Sequence, residues 1–409
     1  MSLIKNIMSN AKEVRYAGTG GDPWSIPTNG SLGRLSSSGT MIDSNTAMSL
    51  AAVWTCVRII SGTVGSLRME AFRKSDGILK LIDSTPSLLR NPFGNDYGAP
   101  LTCQVGLEQM MQSMLVDGDS INYITARDGN GFPTELLPLD PTVISIQKSD
   151  KGRKEYRIGG QLLDSDNVLH VLGMSQPGSI RGMSPISYLR QTIGLGLAAE
   201  EYGARFYSNG ANMSGIIETV ADLDADSART LKERFTSRNT GLKNAHNVGL
   251  LTGGATFKPL GIRQTDMQFV ETRQFNTGQI AAIYGVPPHL MGNTQDVSVA
   301  WGATPEQQGI AFLTYTLRPW LTRLEEAFSY CLPQGITVRF DVDDLLRTDA
   351  TTRAAYYSSG RMAGWLLTDE IRAQENLKPV AGGDRLDQPL NSAHNGQNDG
   401  TSIPTEKSK

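Results

Sequence analysis

Three aspartates near the C-terminal end of the chain are the residues best suited to do chemistry. Asp341, Asp343 and Asp344 follow a short apolar stretch, and carboxylate oxygens are the ligands that hold Mg²⁺ in metal-dependent nucleases. A nuclease is therefore one hypothesis. The other is a strand whose apolar residues at 338, 340 and 342 point inward while Asp341 and Asp343 face solvent. The strand is favoured because no His or Lys lies within the motif.

The histidines and glycine-rich stretches do not form a second candidate centre. His170, His246, His289 and His394 lie far apart in the sequence, and none has a companion at metal-ligand spacing. His170, between two apolar residues, is predicted to be a hydrogen-bonded structural histidine. The chain contains no GxxxxGK[ST] and no GxSxG motif, so it has no nucleotide-binding loop or nucleophile elbow of these kinds. The sequence predicts no catalytic residue, no cofactor and no metal.

Composition narrows the class of protein. The 409 residues carry a formal net charge of -3 with a pI of about 5.9, whereas proteins that grip nucleic acid tightly usually show a basic excess. Cys56, Cys103 and Cys331 are widely spaced and odd in number, which indicates reduced thiols rather than a disulfide framework. No apolar run reaches the roughly 18 residues needed to cross a bilayer. We therefore expect a folded protein of a reducing cytosol without a membrane partner.

The stretch from Gly278 to Tyr330 is predicted to consist of two helices that position a polar loop between them. TGQIAAIYGVPPHLMG is predicted to be a helix that two consecutive prolines stop, because proline lacks an amide hydrogen and disfavours helix before it. A nearly uncharged loop follows. From about 306 to 330, apolar residues recur every three or four positions, which predicts one long helix. Pro319 should bend that helix one turn earlier, near Tyr315.

The rest of the chain reads as an α+β protein. Residues 1–45 lack periodicity and predict a flexible arm, and residues 381–409 predict a disordered tail. Helices near 50–65 and 101–115, with a hairpin and short strands up to about 172, predict an α+β domain. Long helices at 186–207 and 267–284 enclose a small insert with a strand near Ile216, a helix at about 225–235 and strands around 248–251 and 256–260. Two short helices, at 350–363 and 369–377, close the pattern, and Thr368 is the expected N-cap of the second.

Several stretches together resemble the tailed-phage portal proteins of the HK97 type. The matching segments are LAAVWTCVRIISGTVGSL (50–67), LVDGDSINYITARDGNG (115–131), ELLPLDPTVI (135–144), NVLHVLG and RGMSPI (167–173 and 181–186), AAEEYGARFYSNGA (198–211), IAAIYGVPPHLMG (280–292), LRPWLTRLEEAF (317–328) and FDVDDLLRTDATTRAAYY (340–357). They occur in the order of the family and cover roughly residues 47–390. The N-terminal arm and the C-terminal tail carry no motif of the family.

The resemblance implies a portal fold and a ring of about twelve subunits around a channel at one capsid vertex. Residues 46–185 would form the α/β wing, 186–210 and 266–288 a two-helix stem, and 211–265 the small α/β clip between them. Residues 289–305 would form a tunnel loop, 306–345 a kinked spine helix with a wing strand, and 346–380 a helical crown. Implied partners are further copies of the chain, double-stranded DNA read without sequence specificity, the terminase large subunit, the major capsid protein or scaffold, and a head–tail adaptor. The implied location is the virion, after assembly in the cytoplasm of a bacterial host.

The same resemblance assigns three sets of site residues. The DNA-channel loop would contain Thr294, Gln295, Asp296, Val297, Ser298, Val299 and Trp301, and Trp301 is favoured to pack against a neighbouring subunit rather than wedge into a groove. In the clip, Arg229, Lys232, Arg234, Arg238 and Lys243 either contact a partner or form a solvated face balanced by nearby acids. In the stem, Glu200, Glu201 and Arg205 either contact the next subunit or pair within the helix. A capsid or tail structural protein that does not contact DNA is the remaining alternative to the portal and the nuclease.

Overall fold

The computed structural model describes the chain from residue 34 to residue 385 with internal gaps. The residues that it leaves out are 1–33, 76, 83, 97–98, 151, 209–214, 219–225, 228, 231–232, 234–255, 260–264, 293–304, 343–349, 376 and 386–409. The chain consists of two compact units, and the first unit ends at Asp341. They are described separately below, and the first unit contains most of the elements that position the candidate site.

Part of the expected arm is folded. Strands β1 (Arg34–Leu35) and β2 (Met41–Ile42) pair antiparallel and lead into helices α1 (Ser44–Ser49) and α2 (Ala51–Ser66). The carboxylate of Asp43 accepts a hydrogen bond from the amide of Thr46 at 2.7 Å, and the hydroxyl of Thr46 accepts one from the amide of Asp43, also at 2.7 Å. This reciprocal N-cap begins α1. The expectation of a structureless segment up to residue 45 is thus too long by about twelve residues, because cap and strand pairing order residues 34–45.

Two helices form the centre of the first unit. The chain continues through strands β3 (Met69–Ser75) and β4 (Ile78–Leu81), the short helix α3 (Ser87–Arg90) and strands β5 (Asn95–Asp96) and β6 (Ala99–Pro100) to helix α4 (Cys103–Asp117). Helices α2 and α4 bury one side each, and the backbones approach closely at Gly65, where a Cβ would lie 2.9 Å from the carbonyl oxygen of Gln104. The predicted helices and the predicted hairpin of β3 and β4 are confirmed.

Short antiparallel strands follow α4 in the first unit. They are β7 (Asp119–Arg127), β8 (Pro133–Leu139), β9 (Ile144–Lys148), β10 (Lys154–Ile158), β11 (Gln161–Leu163) and β12 (Val168–Leu172), in the orders β12-β7-β8 and β11-β10-β9. A buried cluster holds the two sheets together, with Ile121 from β7 against Ile144, Tyr156, Ile158 and Leu163. Strands β8 and β11 were not predicted. Prolines at 133 and 138 argue against a strand, and β11 is only three residues long.

A long helical hairpin follows the wing strands. Helix α5 (Pro185–Ser208) and helix α6 (Thr265–Tyr284) flank strands β13 (Gly215–Glu218) and β14 (Thr256–Pro259), which pair antiparallel. The two helices touch where Gly196 faces Asn276, since a Cβ on Gly196 would lie 2.3 Å from the amide nitrogen of that side chain. The predicted helix pair and the two described strands of the insert are confirmed. The predicted insert helix is described only in fragments between 226 and 233, and the strand expected at 248–251 lies outside the described residues.

The last part of the first unit is an interrupted helix and a strand. Helix α7 (Pro305–Ala311) passes into a π-helical segment at Phe312–Leu317 and continues as helix α8 (Arg318–Tyr330). Strand β15 (Ile336–Phe340) then pairs antiparallel with β3 in the sheet β15-β3-β4, with Val338 opposite Ala71. The predicted spacing runs through Ile310, Leu313, Leu317, Trp320, Leu324 and Ala327, of which only Leu317 and Leu324 are buried, while Ile310 is 47% exposed. The buried side of α8 instead consists of Leu321, Leu324 and Phe328, so the predicted side is correct only in part.

The second unit contains helices α9 (Ala350–Met362) and α10 (Thr368–Gln374). The Trp365 ring meets Tyr356 edge-on with centroids 5.4 Å apart. Both predicted helices are confirmed, but Thr368 is not the N-cap of α10. The cap position belongs to Leu367, whose amide donates to the carboxylate of Glu370 at 2.8 Å. Among the described helices of both units, none is long and apolar enough to span a membrane.

Candidate functional site

The segment predicted as a tunnel loop begins at a well-defined helix end. Helix α6 stops at Tyr284, and Gly285 has a φ of +70°. The amide of Gly285 donates to the carbonyl of Ala282 at 3.2 Å, and the amide of Val286 donates to that of Ala281 at 2.9 Å. This pair of bonds is a Schellman motif, for which a left-handed glycine is the usual residue. The helix therefore ends at Gly285, two residues before the first of the prolines expected to stop it.

The C-terminal end of α6, before the loop segment, is bonded to the helix that follows the loop segment. The hydroxyl of Thr316, in the π-helical segment, donates to the carbonyl oxygen of Gly285 at 2.6 Å. Val286 is buried, and the hydroxyl of Tyr284 donates to the carbonyl of Leu115 in α4 at 3.2 Å. Burial raises the pKa of Tyr284 well above its usual range, so this hydroxyl remains a donor. The two helices that lead into and out of the loop segment are thus joined at its base.

A short turn continues from this base. Pro288–Met291 form one turn of 3₁₀ helix, which ends at Gly292 with a φ of +75°. The sulfur of Met291 lies 3.6 Å from that of Cys56 in α2. Burial raises the pKa of Cys56 to about 12, so this thiol is a packing group and not a nucleophile. The predicted channel residues Thr294, Gln295, Asp296, Val297, Ser298, Val299 and Trp301 lie outside the described residues.

Pro319 explains the π-helical segment. Because proline has no amide hydrogen, the carbonyl of Tyr315 cannot accept the bond that an α-helix would give it. The helix widens instead, and the amide of Arg318 donates to the carbonyl of Leu313, five residues back. Such π turns occur frequently at functional sites. The predicted disturbance near Tyr315 is therefore found where expected, and its form is a π turn that places Thr316 on Gly285.

The predicted charged residues of the stem pair within the chain. Arg205 and Glu201, one turn apart on α5, are 2.5 Å apart, and Glu200 lies 3.2 Å from Arg273 on α6. The Glu200–Arg273 pair joins α5 to α6. Both pairs are largely exposed and contribute about 1 kcal/mol or less each. A contact of these residues with a neighbouring subunit remains a prediction. Of the predicted clip cations, Arg229 is exposed, and Lys232, Arg234, Arg238 and Lys243 lie outside the described residues.

A buried polar cluster lies between the wing strands and the loop that leads into α5. The carboxylate of Asp119, which has no exposed side-chain surface, accepts from the amide of Gly182 at 2.6 Å and faces the Nε2 atom of His170 at 3.1 Å. Arg181 approaches its other oxygen at 3.7 Å. The opposite ring nitrogen of His170 meets the hydroxyl of Tyr156 at 3.1 Å and the amine of Lys154 at 3.4 Å. The cluster fastens the 173–184 loop to the strands.

This cluster is structural and not a catalytic triad. His170 is neutral here, because burial is the largest influence on its pKa and lowers it, although the Asp119 carboxylate opposes that change. Burial also raises the pKa of Tyr156 to about 12, so this residue donates to the Nδ1 atom of His170 while Nε2–H donates to Asp119. No Ser or Cys side chain occupies a nucleophile position in the contacts above. The prediction that His170 is a hydrogen-bonded interior histidine is confirmed.

The neutral histidine predicts a pH dependence of stability. In the folded protein the pKa of His170 is below its ordinary 6.5, so above pH 6.5 the imidazole is neutral in both states and the stabilisation is complete. As pH falls below 6.5, the unfolded chain takes up the proton first, and stability decreases until the folded pKa is reached. We expect the unfolding midpoint of the wild type to fall more between pH 7.5 and 5.5 than that of His170→Gln, measured by thermal denaturation. Parallel curves for the two proteins contradict this assignment.

Of the three carboxylates proposed for metal binding, the described structure contains Asp341 alone. Asp341 is half-buried just after β15, and its amide donates to the carbonyl of Arg68 at 2.9 Å. Asp343 and Asp344 lie outside the described residues. Within the described part of the chain, no group of three or more His, Cys, Asp or Glu residues is arranged to hold a metal ion.

Sequence reasoning missed the buried carboxylate of Glu325, as it missed that of Asp119. Glu325 on α8 is 7% exposed, accepts from the amide of Phe340 at 3.0 Å and lies 3.5 Å from Arg318. Glu325 satisfies a backbone group at the end of β15 and so fixes α8 to the sheet. In the sequence, Glu325 cannot be distinguished from the neighbouring Glu326. The only hint was its position on the apolar side of the helix pattern, one residue after Leu324.

Comparison with known proteins gives the class to which this fold belongs. Residues 51–376 match the family model described as phage portal protein. The chain belongs to the phage portal protein family. It is 32% identical over 386 residues to the probable portal protein of Streptomyces phage phiC31, covering 90% of this chain and 83% of that protein. It is 28% identical over 376 residues to the portal protein of Enterobacteria phage HK97, covering 88% and 87% of the two chains.

A solved structure shows the same fold. A chain from the neck of a native gene transfer agent particle, computed with C12 symmetry, aligns with a TM-score of 0.56 at 22% identity, over 82% of this chain and 92% of that chain. The family assignment and the α+β fold class predicted from the sequence are therefore both confirmed. The family match also includes α5, α6 and both anchored ends of the loop segment.

Proposed function

We propose that copies of this chain form a ring around a channel at one vertex of a phage capsid, through which double-stranded DNA is packaged and later ejected. The observation that carries this proposal is the family match from residue 51 to residue 376, which includes the stem helices and both ends of the loop segment between them. The C12 symmetry of the gene transfer agent neck supports a ring of about twelve copies. The role is structural, and a separate motor supplies the energy of packaging.

The parts of the chain have distinct roles in this proposal. Residues 46–185 form the wing that meets the capsid protein or scaffold, and 346–380 form a crown. The insert at 211–265, between α5 and α6, docks the terminase large subunit during packaging and a head–tail adaptor afterwards. The loop between the anchored ends, residues 289–305, faces DNA in the channel. The ring assembles in the bacterial cytoplasm and remains in the virion.

The low charge of the loop segment supports passage of DNA without tight binding to its phosphates. Each cation seated on a phosphate adds a contact that must break whenever the duplex moves. The segment from 293 to 304 contains one charged residue, Asp296, and no cation. A channel lined by such loops offers DNA few phosphate contacts. In this proposal the hydrogen bond between Thr316 and Gly285 anchors the two ends of the loop to each other.

The first experiment asks whether the chain forms rings. Purified wild-type protein imaged by negative-stain electron microscopy should show rings with a stain-filled axial hole, and class averages should give the subunit number. A monodisperse monomer at high protein concentration contradicts the proposal. Cleavage of plasmid DNA that requires Mg²⁺ and is lost in Asp343→Ala supports the nuclease instead.

The second experiment separates the channel loop from assembly. Replacement of residues 294–299 by an equal length of Gly and Ser should leave the rings intact and strongly reduce DNA packaging. A Gly/Ser replacement of residues 392–397, in the C-terminal segment, is the matched control and should package as wild type does. Normal packaging by the loop variant removes the assignment of this segment to the channel.

A further inference from the structure

Helices α1 and α4 and the end of β8 enclose an open cavity on the first unit. Its volume is about 340 Å³, at the lower end of the range for pockets that bind small ligands. Ser44, Asn45 and Met48 of α1 form one side, and residues between 109 and 117 of α4 and between 138 and 142 after β8 line the rest. A cavity of this size holds one long side chain with its adjoining backbone, and it is too small for a helix.

The polar lining of this cavity favours a cation. Asp117, which is 7% exposed, accepts a hydrogen bond from the hydroxyl of Ser44 at 2.7 Å. Asp140 is exposed and accepts from the amide of Thr142 at 2.8 Å. The described residues that line the cavity include no Lys, Arg or His. The other polar lining groups are amides and hydroxyls, which supply further oxygen acceptors: Asn45, Gln109, Gln112 and Ser113.

The apolar part of the lining indicates which cation fits. Met48, Val116 and Leu139 line the same cavity. A long basic side chain is divided in the same way, because its methylenes pack on apolar groups while its charged end meets polar ones. A metal ion fits less well, since the described residues contain no group of three or more His, Cys, Asp or Glu able to hold one. An arginine fits best, because its planar guanidinium offers five donors and pairs with carboxylates in a fixed geometry.

The N-terminal segment, residues 1–33, supplies a complementary charge. Its cations are Lys5, Lys12 and Arg15 and its anions are Glu13 and Asp22, so three against two give a formal charge of +1. The C-terminal segment, residues 386–409, has two cations against three anions and a formal charge of -1. Arg15 is the only arginine among residues 1–33 and the cation nearest in sequence to β1. It is therefore the side chain of the segment best suited to the cavity.

The N-terminal segment also joins the structure beside the cavity. Strand β1 begins at Arg34, which pairs with Ile42 of β2, and Ser44 of the cavity lining follows two residues later. The Cα atoms of Arg34 and Ser44 are therefore at most about 13 Å apart. Arg15 precedes Arg34 by 19 residues, and that length of chain can span about 60 Å. The connection is long enough for Arg15 to reach the cavity of its own chain.

We propose that the side chain of Arg15 binds in this cavity of its own chain, with its guanidinium on the carboxylates and its methylenes against Met48 and Leu139. The inference concerns the single chain and does not depend on the proposed ring. A site on the same chain is met at an effective concentration that reaches the millimolar range for short connections. One side-chain contact, too weak to hold separate molecules together, is therefore sufficient here. It holds the N-terminal segment against α1 and α4.

Disulfide formation between two introduced cysteines measures this contact. The parent protein is the full chain with Tyr16→Cys, next to Arg15, and Asn45→Cys, in the cavity lining. It also carries Cys103→Ser, because Cys103 is half-buried whereas the other two native cysteines are buried. Oxidation with copper phenanthroline should link positions 16 and 45 within one chain. Non-reducing electrophoresis and peptide mass spectrometry give the rate, and circular dichroism checks that each variant is folded.

Charge substitutions in this parent protein test the role of the arginine. Arg15→Glu should lower the rate of disulfide formation about fivefold or more, because attraction is replaced by repulsion. Lys5→Glu makes the same charge change ten residues earlier and is the matched control, which should leave the rate unchanged. Asp140→Arg, added to Arg15→Glu, leaves the buried Asp117 intact and should restore at least about half of the lost rate, since opposite charges meet again.

The outcomes separate this inference from the portal proposal. Equal rates with and without Arg15→Glu overturn the binding of Arg15 in the cavity and leave the cavity to another occupant. A link that forms only between copies, seen as a dimer on the gel, overturns binding within one chain. If Asp140→Arg restores none of the rate, the cavity carboxylates do not hold the arginine. Ring formation by the wild type in electron micrographs is independent of all three results and tests the proposed function alone.

Discussion

Asp119→Ala is expected to lower the free energy of unfolding by about 3–5 kcal/mol, the range for removing one member of a buried ion pair. The alanine leaves the amide of Gly182 and the Nε2–H of His170 without their acceptor, and it leaves Arg181 without its anion. Buried groups that lose their partners keep the full penalty of desolvation. The loop before α5 should detach from the wing strands. Urea denaturation followed by circular dichroism measures the change.

Two further substitutions show how much of the stability lost in Asp119→Ala comes from the charge of Asp119. Asp119→Asn keeps an acceptor oxygen but removes the charge, so its destabilisation should lie between zero and that of alanine. Asp140→Ala removes an exposed carboxylate that accepts from the amide of Thr142 at 2.8 Å, and should cost about 1 kcal/mol. If Asp119→Ala destabilises the protein no more than Asp140→Ala does, the cluster does not hold the loop.

Gly285→Ala is expected to disturb the base of the proposed channel loop. A left-handed conformation costs a non-glycine residue about 1–2 kcal/mol. In addition, the new Cβ would lie 2.6 Å from the hydroxyl oxygen of Thr316, so the contact between the two helix ends must open. We expect stability to fall by about 2 kcal/mol or more. DNA packaging should also fall, because the proposed channel loop loses the contact that joins its two ends. Denaturation and a packaging assay measure the two effects.

Gly292→Ala is the matched control for that substitution. Gly292 has a φ of +75°, close to that of Gly285, but a Cβ there would meet nothing within 4 Å. Gly292→Ala should therefore lose only the free energy that the left-handed backbone conformation costs an alanine, without a steric clash like that between residue 285 and Thr316. Thr316→Val, which keeps the shape and removes the hydrogen bond, should reproduce part of the packaging defect. Equal behaviour of the two glycine variants would falsify the role assigned to the Gly285–Thr316 contact.

The parts of the fold that sequence reasoning found were those with a strong local pattern. The apolar periodicity at Val53, Val57, Ile60 and Val64 predicted α2, and the spacing on α8 predicted a helix, although of its buried side only Leu324 lay on the predicted stripe. Pro319 located the π turn, because the missing amide acts one turn earlier whatever surrounds it. The motifs that resembled portal proteins identified the family, since they matched in order along most of the chain.

The parts that were missed depend on contacts between distant residues. Asp119 and Gly182 are 63 positions apart, so nothing local shows that the carboxylate caps that amide. Glu325 and Glu326 look alike in the sequence, and only the end of β15 distinguishes them. The C-terminal end of α6 was attributed to two prolines, although the glycine before them makes the Schellman motif. The channel and clip residues remain predictions, because most lie outside the described structure.

The π turn at Phe312–Leu317 has a consequence for how the protein tolerates change. It holds one residue more than an α-helical turn would, and each residue of an α-helix turns the chain by about 100°. The direction in which α7 leaves α8 is thus set by a single residue, while the buried side of α8 is set independently by Leu321, Leu324 and Phe328. Deletion of one residue between 312 and 317 is therefore expected to rotate α7 about the helix axis and to leave the buried side of α8 in place.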